Sequence, residues 1–127
     1  MSRRHHAPAF LALVEEARPR VKEITIADYG HLLMRREFHV LVDVREDHEW
    51  ALGHLPGAMH LGRGIIERDI ESHFDKATPI VCYCGGGYRT ILVCDSLQKM
   101  GYTNVISLAG GIRGWEAAGL PIERDET

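Results

Sequence analysis

The sequence predicts a three-layer α/β fold, with a central, mostly parallel sheet of about five short strands flanked by helices. Three observations support this. Compact apolar segments rich in β-branched residues recur at 21–24, 40–44, 80–83 and 104–108, with a weaker one at 58–61. Segments with apolar residues at helical spacing fall between them. Glycine and proline punctuate the junctions, which separates the elements cleanly. At 127 residues, with 45% apolar and 26% charged side chains, the chain suits one compact domain able to bury a core without disulfide staples.

Residues 9–18 read as an amphipathic helix, with Phe10, Leu13, Val14 and Ala17 recurring on one face and Pro19 stopping it. After the strand at 21–24, Thr25 is placed as the N-cap of a helix running to about 36 that carries Tyr29, Leu32 and Leu33 on one side. The strand at 40–44 brings Asp43 to its C-terminal end. A short helix at 46–52 ends at Gly53, and 53–58 is turn chemistry. A helix over 65–74 leads to the strand at 80–83. Residues 89–100 form a helix with Val93, Leu97 and Met100 on one side and Gly101 as its stop. After the strand at 104–108, Gly110-Gly111 turns the chain into a short helix through Trp115, and Pro121 ends it. This divides the chain into an N-terminal extension over 1–20, an α/β domain over 21–123 and a tail over 124–127. The leading helix is expected to pack on its own domain; contact with a second chain is the alternative.

Composition narrows the function. A net charge of −3 argues against nucleic acid as a partner. No apolar run approaches the length of a membrane span. Arg3 and Arg4 precede an apolar stretch, but Pro8, Glu15 and Glu16 break it before a secretory signal is complete. Cys82, Cys84 and Cys94 are an odd set, two of them one residue apart, which does not make a disulfide framework. A reducing, cytoplasmic setting fits better, where thiols are kept for chemistry.

The most informative stretch is 80–90, IVCYCGGGYRT. An apolar strand delivers Cys84 to its C-terminal edge, the side on which open α/β sheets bind ligands. Gly85, Gly86 and Gly87 let the backbone curl, and a helix begins beyond them. Such a curl aims several N–H groups at one point, an anion nest. With the helix dipole and Arg89 beside it, the nest favours the thiolate of Cys84 and makes it a nucleophile.

The loop Cys84-Gly85-Gly86-Gly87-Tyr88-Arg89-Thr90 resembles the active-site loop of the rhodanese family of sulfurtransferases. Four other segments stand where that family places its own. They are Leu41-Val42-Asp43-Val44-Arg45; Glu49-Trp50 with Gly53-His54-Leu55-Pro56-Gly57-Ala58; the helix-to-strand passage at 97–105; and Gly110-Gly111 with Trp115, Gly119, Leu120 and Pro121. The resemblance covers about 21–123. It implies a rhodanese-like fold and a single-domain thiosulfate sulfurtransferase working by a ping-pong cycle. Cys84 would be the catalytic residue that carries the sulfur as a persulfide. Gly85, Gly86, Gly87, Tyr88, Arg89 and Thr90 would bind the substrate through the loop amides, and Arg89 would attract a small anionic donor such as thiosulfate. The acceptor would be cyanide, a thiol or a protein. No metal or organic cofactor is implied.

The plainer readings stand beside these. Cys82 and Cys94 lie in apolar surroundings and read as core, with a resolving thiol the lesser reading of Cys82. Asp43 is expected to brace neighbouring loops, Arg45 to join a structural ion pair, His54 to fix a turn and Trp115 to pack near the site. A cysteine phosphatase or arsenate reductase is the first rival, but its signature holds five residues between cysteine and arginine where four stand here. A non-catalytic binding module of the same fold and a protein-fed sulfur relay are the others.

Overall fold

The computed structural model describes residues 6–125. Five strands form one sheet: β1 (Lys22–Ile24), β2 (Val40–Asp43), β3 (Met59–His60), β4 (Ile80–Tyr83) and β5 (Val105–Leu108). Their order is β1-β5-β4-β2-β3, and every pair is parallel. The helices are α1 (Pro8–Ala17), α2 (Ile26–Met34), α3 (Asp47–Ala51), α4 (Ile66–Asp69), α5 (Arg89–Lys99) and α6 (Gly111–Ala117).

β4 lies at the centre of the sheet, and its side chains alternate between two cores. Ile80 and Cys82, with Cys84 just beyond the strand, face the cluster built with Ile66, Ile70, Val93 and Leu97. Val81 and Tyr83 face the cluster built with Tyr29, Leu32, Ile112 and Trp115. All four β4 residues are buried, so the strand is apolar throughout and not alternating. Each fully buried aliphatic side chain contributes about 1.5–3 kcal/mol, which commits the middle of the chain to this register.

Local signals hold where the chain is self-sufficient. Thr25 caps α2: its hydroxyl accepts from the Asp28 N–H at 3.0 Å, and the Asp28 carboxylate accepts from the Thr25 N–H at 3.1 Å. Other expectations are adjusted by packing. The single helix anticipated over 65–74 is α4 followed by a 3-10 turn, Ile70–Ser72, with Ile66 and Ile70 both buried in the core. On α1 the buried stripe is Val14 and Ala17, with Phe10 packed beside it; Leu13 is 53% exposed, since it falls off the i, i+4, i+7 line. Leu33 on α2 is likewise exposed.

α1 packs on its own domain. Val14 and Ala17 meet Ile91 of α5, with Leu92 and Tyr88 beside them. Arg20 adds a two-pronged pair to Asp95 of α5, both contacts at 2.9 Å. That hydrogen bond holds the Asp95 carboxyl down at about 2.

Candidate active site

β4 ends at Tyr83, and the next residue, Cys84, begins the loop to α5. Gly87 has φ of +97°, a left-handed turn that closes the loop. Its N–H donates to Cys84 Sγ at 3.2 Å. The Thr90 hydroxyl, in the first turn of α5, lies 3.6 Å from the same sulfur. Ser107 of β5 donates to Thr90 Oγ1 at 2.7 Å. That leaves the hydroxyl hydrogen of Thr90 for Sγ, an arrangement that suits a negative sulfur. Thr90 and Ser107 are both fully buried. Ser107 escaped the sequence reading; its signal was a serine inside an otherwise apolar strand, a buried hydroxyl in need of a partner.

α6 supports the loop from the other side. The Ile112 N–H donates to the Cys84 carbonyl at 2.9 Å and the Arg113 N–H to the Gly85 carbonyl at 3.0 Å. Gly111 makes this approach possible. Its φ is +54°, and a Cβ there would collide with the Cys84 carbonyl oxygen. The glycines of the loop also have neighbours to admit. A Cβ on Gly86 would stand 2.5 Å from the Arg113 guanidinium, and one on Gly85 would stand 3.1 Å from that of Arg89. Gly85 and Gly86 therefore lie beneath arginine side chains, while a Cβ on Gly87 would stand 3.1 Å from the Gly110 backbone nitrogen. Arg113 was not singled out from sequence, because nothing local ties α6 to the cysteine loop.

Arg89 is engaged elsewhere than expected. Its guanidinium grips Glu49 of α3 at 2.7 and 3.1 Å. That pairing lowers the Glu49 carboxyl to about 2, the hydrogen bond to Arg89 being the main cause, and raises Arg89. Arg89 is thus a bridge between the loop and α3, with its charge largely answered.

Asp43 ends the neighbouring strand β2, and Arg45 and His54 follow it. Asp43 accepts from the Arg45 backbone N–H at 2.9 Å and from its guanidinium at 2.9 and 3.1 Å. Arg45 also donates to the Gly53 carbonyl at 2.6 Å and sits over the Tyr83 ring at 5.8 Å. Tyr83, pushed up chiefly by burial, accepts from the Leu55 N–H at 3.0 Å. His54 stacks flat on Trp50, ring centroids 3.7 Å apart, and its Nε2 is 2.9 Å from the Asp125 carboxylate. Trp115 belongs to the core under α6 and donates to the Pro121 carbonyl at 2.7 Å. Cys82 and Cys94 are fully buried, and the Cys94 thiol is pushed well up, first by its hydrogen bond with Cys82 and then by burial. Neither thiol reaches a pocket that the described residues line at the site.

A hollow of about 260 Å³ opens onto Cys84, lined also by His6, Phe10, Arg63, Gly86, Tyr88, Arg89 and Arg113. Cys84 is only 1% exposed, so its sulfur is reached through a narrow floor. A larger hollow of about 590 Å³ shares Arg63 and Arg89 but does not reach the thiol, and the chemistry belongs with the smaller one.

The rhodanese-like domain model matches residues 26–118, from the start of α2 to the end of α6. The chain belongs to the rhodanese-like family. Its parallel five-stranded sheet with flanking helices is the rhodanese-like fold. A sulfurtransferase of Allochromatium vinosum is 36% identical over 106 residues, covering 84% of this chain and 98% of that protein. The thiosulfate sulfurtransferase GlpE of Haemophilus influenzae is 35% identical over 91 residues, 71% of this chain and 85% of its own. A solved structure from Rhodopseudomonas palustris, described as a possible tyrosine phosphatase, superposes with a TM-score of 0.80 at 30% identity and covers 97% of this chain and 100% of its own. This is a sulfurtransferase family, and no helix among the described residues is long and apolar enough to cross a membrane.

Proposed function

We propose that the protein transfers a sulfane sulfur through a persulfide on Cys84, taking it from a small anionic donor and passing it to a thiophilic acceptor. The observation that carries this reading is the placement of Sγ, which receives the Gly87 N–H and faces the Thr90 hydroxyl at the floor of a pocket edged by arginines. These donors are placed to hydrogen-bond a sulfur that carries negative charge.

Loading follows from that geometry. The Cys84 thiolate attacks the outer sulfur of thiosulfate, the S–S bond of the donor breaks, and its electron pair leaves with sulfite. Cys84 then carries –S–S⁻, and the new sulfur stands about 2 Å further into the pocket. There the remaining loop amides, from Gly85 to Thr90, are the groups available to hold it. Discharge reverses the polarity: cyanide bonds to the outer sulfur, thiocyanate departs, and the electron pair returns to Cys84. The name of the Haemophilus relative makes thiosulfate the first donor to test. The same chemistry favours a cytoplasmic setting, where the thiol stays reduced.

A phosphatase reading draws on the Rhodopseudomonas likeness. The four residues between Cys84 and Arg89 oppose it, since a tetrahedral oxyanion calls for a wider loop. The deciding experiment is the intact mass after brief exposure to thiosulfate, beside Cys84→Ala. Gain of one sulfur, removed by cyanide and absent in the variant, supports the proposal. No gain from thiosulfate or from an organic persulfide overturns it.

A further inference from the structure

The two walls of the hollow over Cys84 differ in chemistry. One is aromatic. The His6 ring lies 4.5 Å from Tyr88 and 5.4 Å from Phe10, centroid to centroid. This wall is anchored, because Phe10 packs against the cluster of Val14, Ala17 and Ile91 that seats α1 on α5. The other wall is cationic. Arg89 is answered by Glu49, whereas no carboxylate of the described residues pairs with Arg63 or Arg113. The space between is about 260 Å³, below the usual size of a drug-like ligand site. With Cys84 at its nearly closed floor, an acceptor that takes the sulfur has to enter this space.

We propose that this two-walled pocket selects the sulfur acceptor, and that the acceptor is a small organic thiol bearing a carboxylate. Its carbon chain lies against Phe10, His6 and Tyr88, and its carboxylate meets Arg63 and Arg113. The incoming thiol RSH passes its proton to the anionic persulfide, and the resulting thiolate RS⁻ attacks the outer sulfur of Cys84–S–SH. A new S–S bond gives RS–SH, the old one breaks, and its electron pair restores the Cys84 thiolate. No external oxidant or reductant is needed. This inference rests on the sulfurtransferase reading above and adds the N-terminal helix to the specificity of that site.

The test discharges sulfur-loaded protein with 3-mercaptopropionate, neutral 1-thioglycerol and cationic cysteamine, each rate corrected for its thiolate fraction, with cyanide as the reference acceptor. The expected kcat/KM for 3-mercaptopropionate exceeds that for cysteamine by about ten-fold, because like charge at the mouth repels the cation. That preference collapses in the Arg63→Gln, Arg113→Gln double variant. Phe10→Ala lowers the ratio of thiol to cyanide kcat/KM about five-fold by removing apolar contact. His6→Ala, at a position ahead of α1, shifts the ratio in the same direction and keeps the test sound if Phe10→Ala unfolds. Equal use of the three thiols, a preference untouched by the arginine variants, or faster discharge by a folded protein thiol overturns this inference alone. Failure to load sulfur from any donor overturns the underlying reading with it.

Discussion

Two buried polar clusters sit at the same edge of the sheet, at the ends of neighbouring strands, and they are built oppositely. After β2, Asp43 and Arg45 pair with each other, and one further bond runs from Arg45 to the Gly53 carbonyl. After β4, Cys84 has one backbone donor and one hydroxyl, and a hollow opens above it. In the first cluster the two charges answer each other, with Asp43 fully buried and Arg45 nearly so. The second leaves a sulfur at the floor of a hollow edged by arginines. A closed pair contributes to holding the fold, while an incompletely answered group at the floor of a pocket is poised for chemistry.

Substitutions can break this contrast. Cys84→Ser should remove sulfur transfer, a fall of about 10³-fold or more in kcat/KM, because an alcohol is a poor nucleophile toward sulfur at neutral pH. Its urea midpoint should stay near that of the unaltered protein. Asp43→Ala should do the reverse. It strands a buried guanidinium and should cost about 3–5 kcal/mol in denaturant unfolding. Equal damage to stability at both positions would erase the distinction between brace and site.

Gly111→Ala tests how far the site depends on α6. It combines a left-handed φ with a collision at the Cys84 carbonyl, so a loss of about 1–3 kcal/mol is expected together with lower sulfur loading measured per folded molecule. Thr90→Val keeps the shape and deletes the hydroxyl facing Sγ. A charge-assisted hydrogen bond of this kind corresponds to about ten-fold in the loading rate, read by single-turnover kinetics.

The smallest effect concerns Glu49 and acid. Its folded carboxyl sits at about 2, below the ordinary value of 4.5, with Arg89 as the main cause. The stabilisation is therefore full above the unfolded value and fades as pH falls from about 5 toward 2. For a partly exposed pair this amounts to about 1 kcal/mol, visible as a flatter acid limb of the stability profile in Glu49→Gln.

Much of this arrangement was legible in the chain itself. The β4–loop–α5 unit is contiguous, so an apolar run, three glycines and a helical stripe describe it without reference to anything distant. The capping box at Thr25 is equally local. Leu13 and the helix over 65–74 were misjudged because the width of a buried stripe and the point where a helix yields depend on what lies opposite. Arg113 and Ser107 were missed, and Glu49 and Phe10 were named without a place at the site, for a stronger reason. Each comes to the cysteine loop from a different element, and no spacing in the sequence encodes that meeting.

The sequence alone determined the order of elements, the parallel sheet and the position of Cys84 at the C-terminal edge of a central strand. These follow from short-range sterics and hydrophobic periodicity, which act within a few residues. The tertiary structure alone decided which charges are answered and which remain at the pocket. Arg89 is taken by Glu49, forty residues away in the chain, while Arg113 arrives over the glycines from α6. Electrostatic pairing depends on distance in space, and only the folded chain sets that distance.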